Sequence, residues 1–68
     1  MILKFDNGYD EREIGRPHNE EEVFQIMNNF MKERNYESFY IRFWKENDVI
    51  IYDVGSWSQF FKLYLKGE

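Results

Sequence analysis

The chain has no cysteine, which excludes a disulfide framework, a thiolate nucleophile and a zinc knuckle. Its single histidine is His18, so metal sites and His-based catalysis are poorly provided for. The four glycines, at positions 8, 15, 55 and 67, are isolated from one another, and no Gly-rich phosphate loop can be built from them. Long apolar runs are missing too. The longest, Val49-Ile50-Ile51-Tyr52, is far too short for a membrane span, and a mean hydropathy of -0.76 agrees. Positive charge is in deficit: the net charge is -4. Asp6, Asp10, Glu11, Glu13, Glu20, Glu21 and Glu22 stand against Lys4, Arg12 and Arg16, so the whole excess falls in residues 1–22, and the remainder is balanced. Such a surface disfavours duplex DNA, because phosphate neutralisation needs clustered lysine and arginine. The opening Met1-Ile2-Leu3-Lys4-Phe5-Asp6 has no basic stretch before an apolar core and no small-residue cleavage site. The expectation is therefore a cytoplasmic protein.

What is present is aromatic. A chain of 68 residues has room for one domain, residues 1–68, and buries only about 60% of its extended surface. Its core must be dense in large side chains, and an aromatic content of 21% supplies them.

The segment order reads as α+β, ββαβββ: an antiparallel sheet with one helix packed on one face. Residues 2–5 form a first strand, Asn7-Gly8 a two-residue turn, and residues 9–14 a return strand on a solvated edge. That register sets Lys4 opposite Glu11. The helix spans residues 20–34. Asn19 is its N-cap, Glu22 sits at capping-box spacing, Glu20, Glu21 and Glu22 favour the helix dipole, and Asn35 stops it. Val23, Phe24, Met27, Phe30 and Met31 make its apolar stripe. Strands over 38–45, 49–54 and 59–66 follow, joined at Asn47-Asp48 and Gly55-Ser56. With Asn47 and Asp48 in the loop, Arg42 faces Asp53, Phe43 faces Tyr52 and Trp44 faces Ile51. A one-residue slip would lose the ion pair and mix the faces. One face then carries Phe39, Ile41, Phe43, Ile50, Tyr52, Val54, Phe61, Leu63 and Leu65, and the helix is expected to cover it.

The other face carries Tyr40, Arg42, Trp44, Ile51, Asp53, Ser58, Phe60, Lys62 and Tyr64. With no second helix to cover it, Tyr40, Trp44, Phe60 and Tyr64, interleaved with Arg42 and Lys62, form a candidate binding surface. Tyr, Trp and Arg are typical anchors of a protein partner or a homodimer. The same pattern can stack single-stranded bases, or simply stabilise a small sheet through cross-strand pairs. A second candidate is the acidic surface of Asp10, Glu11, Glu13, Glu20 and Glu21, which could meet a basic partner. An ordinary solvated face has the same composition.

Asp53-Val54-Gly55-Ser56-Trp57-Ser58-Gln59-Phe60-Phe61 looks like a signature. Gly55 permits a special backbone conformation, Ser56 and Ser58 can bond the turn, and Trp57 can cap the core. The stretch resembles the terminal hairpin of short uncharacterised proteins carried by phages and mobile elements of Gram-positive bacteria, which read apolar-Asp-x-Gly-Ser-aromatic-Ser-x-Phe. The resemblance covers the last third of the chain, brings no activity with it, and implies an accessory protein acting inside a bacterial host. Read by itself, the stretch closes a hairpin. His18 with Asp10, Glu20, Glu21 and Glu22 has no metal-ligand spacing, and Ser56 with His18 lacks a nucleophile elbow. The expectation is a non-enzymatic interaction protein without metal or cofactor. A single-strand nucleic-acid binder is the alternative.

Overall fold

The structure is a computed structural model that describes residues 1–35, 41–55 and 59–66. The local signals set the helix α1, Glu20–Glu33. Asn19 is extended, and its Oδ1 accepts the Glu22 backbone N–H at 2.9 Å. Glu22 reaches one residue further back than a capping box requires. Its carboxylate accepts the backbone N–H of His18 at 2.9 Å and lies 3.1 Å from the ring Nδ1. At the other end Asn35 takes a positive φ of 57° and donates its N–H to the Lys32 carbonyl, as a helix stop does.

Five strands surround this helix in sequence: β1 (Ile2–Asp6), β2 (Glu11–Gly15), β3 (Arg42–Glu46), β4 (Val49–Asp53) and β5 (Phe60–Tyr64). They form one antiparallel sheet in the order β2-β1-β5-β4-β3, so the fold is α+β with the helix on the sheet. The terminal strands β1 and β5 join the two hairpins, with Leu3 opposite Leu63 and Phe5 opposite Phe61. The β3–β4 register is the expected one: Arg42 faces Asp53, Phe43 faces Tyr52 and Trp44 faces Ile51. Residues 38–40 at the start of the expected third strand, and the turn residues Ser56, Trp57 and Ser58, lie outside the described residues.

The first hairpin differs from expectation. Its loop has four residues, 7–10, so Lys4 faces Glu13 and Glu11 faces Asp6. Side chains explain the longer turn. Asp6 Oδ1 accepts the Gly8 N–H, and Asn7 Oδ1 accepts those of Tyr9 and Asp10, while Gly8 takes a φ of 94°. Satisfied loop amides outweigh the small entropy of two further residues. A register shift between Leu3 and Lys4 leaves Ile14 as the extra residue, packed against the core. Beside it, a Cβ on Gly15 would come 2.8 Å from Ile26 Cδ1, so any larger residue would have to turn the Ile26 side chain aside.

The core is Leu3, Val23, Met27, Phe30, Met31, Tyr52, Val54, Phe61 and Leu63. The apolar stripe of α1 therefore points inward as its spacing requires. Phe30 meets Phe5 and Phe61 at centroid distances of 4.6 and 5.7 Å, and Phe24 meets Tyr52 edge-on at 5.9 Å. The helix thus lies over β1, β5 and β4. It does not cover β3, and here the expectation fails: Phe43 is 60% exposed and Ile41 40%. The reason is width. A helix with its side chains is about 10–12 Å across, whereas five strands spaced about 4.8 Å apart span roughly 20 Å. One helix cannot roof them all.

Candidate binding face

On the uncovered side of the sheet, side chains alternate with those that enter the core, and the register arranges them in rows. One row runs Glu13, Lys4, Lys62, Ile51, Trp44, and the next Glu11, Asp6, Phe60, Asp53, Arg42. Arg42, Trp44, Phe60, Lys62 and Tyr64 are therefore brought together on one face, as the alternation of the carboxyl half requires. Tyr40 lies outside the described residues.

The aromatic part of the face is packed rather than splayed. Trp44 and Phe60 meet edge-on at 6.5 Å, and the Arg42 guanidinium stands 5.6 Å from the Trp44 ring. The ammonium of Lys4 lies 4.9 Å from the ring of Tyr64. Trp44, Phe60 and Tyr64 are consequently half-buried. The Trp44 indole N–H donates to Glu46 at 2.6 Å.

Lys62 and Arg42 are engaged by carboxylates. Lys62 Nζ lies 3.0 Å from Asp6 and 3.1 Å from Glu11, and the Tyr64 hydroxyl donates to the same Glu11. This cluster stitches β1, β2 and β5 together. The Tyr64 hydrogen bond, followed by Lys62, holds the Glu11 carboxyl below its ordinary pKa. The Gly8 N–H, then Lys62, does the same for Asp6. Lys62 is pushed up in return, chiefly by its hydrogen bond to Asp6. Across the sheet, Asp53 is buried and accepts from Arg42 at 3.0 Å and from the Gly55 N–H at 2.9 Å. Gly55 takes a φ of 91°, the special backbone conformation expected of it.

The acidic candidates do not form one surface. Glu11 and Glu13 belong to the open face, Glu11 bound to Lys62 and Tyr64, and Glu13 bonded to Arg16 at 3.1 Å. Glu20 and Glu21 stand in the first turn of the helix, on the other side of the sheet. Asp10 belongs to the β1–β2 loop and lines a cleft near the carboxyl end of α1. The sequence reading missed both partners of Lys62: it set Glu11 against Lys4, and only the longer loop puts Asp6 beside Glu11. It also missed the exposed Phe43, for which helix length and strand count were the available signal.

Among the described residues no group of three His, Asp or Glu side chains has the arrangement of a metal site. No helix among them is long and apolar enough to cross a membrane. Compared with known protein families, with curated proteins and with solved structures, the chain matches none.

Proposed function

We propose that this chain is a non-enzymatic interaction module that binds a protein partner, a second copy included, through the β3 end of its aromatic sheet. The observation that carries the reading is the exposure of Phe43 at 60% and Ile41 at 40% on one side of β3, with the half-buried Trp44 on the other. β3 is an edge strand of the sheet, so it has backbone groups as well as apolar side chains to offer. Its sequence, Arg42-Phe43-Trp44-Lys45-Glu46, suits an antiparallel copy centred on Trp44. Each Arg42 would then face the other protomer's Glu46. The resemblance of residues 53–61 to phage and mobile-element proteins adds that such an interaction would take place inside a bacterial cell.

The single-strand nucleic-acid reading receives less support. A base-stacking face needs cations with charge to give to phosphates. Lys62, the cation at the centre of the face, already spends its charge on Asp6 and Glu11.

Sedimentation of wild type, Trp44→Ser and Phe43→Ser, beside pull-downs from bacterial lysate, tests the proposal. Wild type should associate or capture a partner, and each variant should stay folded and lose that association. The reading fails if all three are monomeric, capture the same proteins and differ only in melting temperature.

A further inference from the structure

The arginines of the described residues divide into two pairs. Arg16 is bonded to Glu13 and Arg42 to Asp53. Arg12 and Arg34 form no ion pair with a carboxylate of the described residues, and both line the same cleft of about 350 Å³, together with Phe5, Asn7, Asp10 and Gln59. In a chain of net charge -4, two guanidiniums in one concavity, neither paired with a described carboxylate, call for an explanation.

We propose that this cleft binds an oxyanion, a phosphate monoester or a carboxylate carried by a small molecule, between Arg12 and Arg34. The fold sets both groups in place. The β1–β2 register puts Arg12 opposite Phe5, whose ring packs against Phe30 of the helix, so Arg12 rises on the helix side. Arg34 caps α1, and its guanidinium stacks 3.9 Å from the centre of the Phe30 ring. Stacking orients a guanidinium without neutralising it, so the N–H groups at its edge keep their charge for a ligand. Asn7 adds a neutral donor. Its Oδ1 is occupied by the N–H groups of Tyr9 and Asp10, which leaves the amide NH₂ as the end with hydrogen bonds to give. A cleft of this volume suits a small metabolite rather than a protein segment. Asp10 opposes the bound charge and lowers the affinity, so its neutralisation is a sharp test.

The experiment is a titration of isotope-labelled protein with inorganic phosphate and, separately, with succinate, at constant ionic strength, read at the arginine Nε–H and side-chain amide resonances. Saturable shifts confined to Arg12, Arg34 and Asn7 are expected. Arg12→Gln and Arg34→Gln should each weaken binding about tenfold, the worth of a charge-assisted hydrogen bond. Asp10→Asn should tighten it, and Arg16→Gln, outside the cleft, should leave it unchanged. Saturation by phosphate alone assigns a phosphorylated ligand, and by succinate alone a carboxylate. Non-saturating shifts of equal size at Arg16 and Arg42, or affinity unaltered when Arg12 and Arg34 are both replaced, would overturn the proposal.

Discussion

Phe30 and Phe43 invite the same truncation to alanine and should respond very differently. Phe30 is 8% exposed, touches the rings of Phe5 and Phe61, and carries the Arg34 guanidinium on its outer face. Its removal forfeits the transfer free energy of a buried phenyl group and leaves a cavity beneath the helix, together about 3–5 kcal/mol. At roughly 0.05–0.15 kcal/mol per residue, a domain of this size has about 3–10 kcal/mol to lose. Phe30→Ala should thus consume a third or more of the stability and lower the melting temperature by well over 10 °C, at about 4–8 °C per kcal/mol. Phe43 is 60% exposed and keeps only one flank, against Tyr52 at 5.7 Å. Less than half of its transfer term is at stake and no closed cavity forms, so Phe43→Ala should cost under about 1 kcal/mol. Urea unfolding of the two variants with a common slope gives both numbers. Equal losses would refute the reasoning, because they would put β3 under the helix. A negligible loss at Phe30 would mean that α1 turns another side inward.

Two further predictions concern the charged groups of the open face. Glu11 and Asp6 are held below, and Lys62 and Tyr64 above, their ordinary pKa values. The stabilisation from the two carboxylates is therefore present above the usual carboxylate range and lost as pH falls through their folded values. That from Lys62 and Tyr64 is present below about pH 10 and lost as pH rises past it. Tyr64→Phe should flatten both limbs of a melting temperature-against-pH profile, and a parallel profile would count against the cluster. Asp53→Ala strands the Gly55 N–H and should cost about 1–3 kcal/mol, whereas Arg42→Ala, on a side chain 67% exposed, should cost less than about 1 kcal/mol; chemical denaturation separates the two.

Much of this architecture follows from short-range signals. Asn19 and Asn35 mark the helix ends because a cap is a contact between residues three or four apart. Arg42 and Asp53 fix the β3–β4 register because a two-residue loop leaves little other choice. The first hairpin escaped the same logic. Asn7-Gly8 resembles a two-residue turn, and only the bonds of Asp6 and Asn7 to the loop amides favour four residues. Lys62 and Tyr64 were legible as members of the open face, from alternation alone. Their partners were not, since Glu11 is 51 residues from Lys62 in sequence and meets it only through the β1–β5 pairing. The cleft was invisible for a similar reason: it joins a loop, an edge strand and a helix end.

The two edges of the sheet are finished in different ways, and the difference bears on where a partner would dock. β2 carries Glu11, Arg12 and Glu13, which present charge on both sides of the strand, and a register shift at Ile14 disturbs its end. Charge and irregularity of this kind discourage a further strand from adding. β3 also carries charges, but its centre is Phe43-Trp44, one aromatic ring on each side of the sheet. Two rings flanking an edge offer apolar area that a neighbouring strand could bury from both faces at once. Among the described residues Phe43 meets the ring of Tyr52 from the edge, and Trp44 lies opposite Ile51 and meets Arg42, Glu46 and Phe60, so Phe43 is the ring left without cover. An edge built to stay solvated has no need of it. The proposed association through β3, and not β2, rests on that asymmetry.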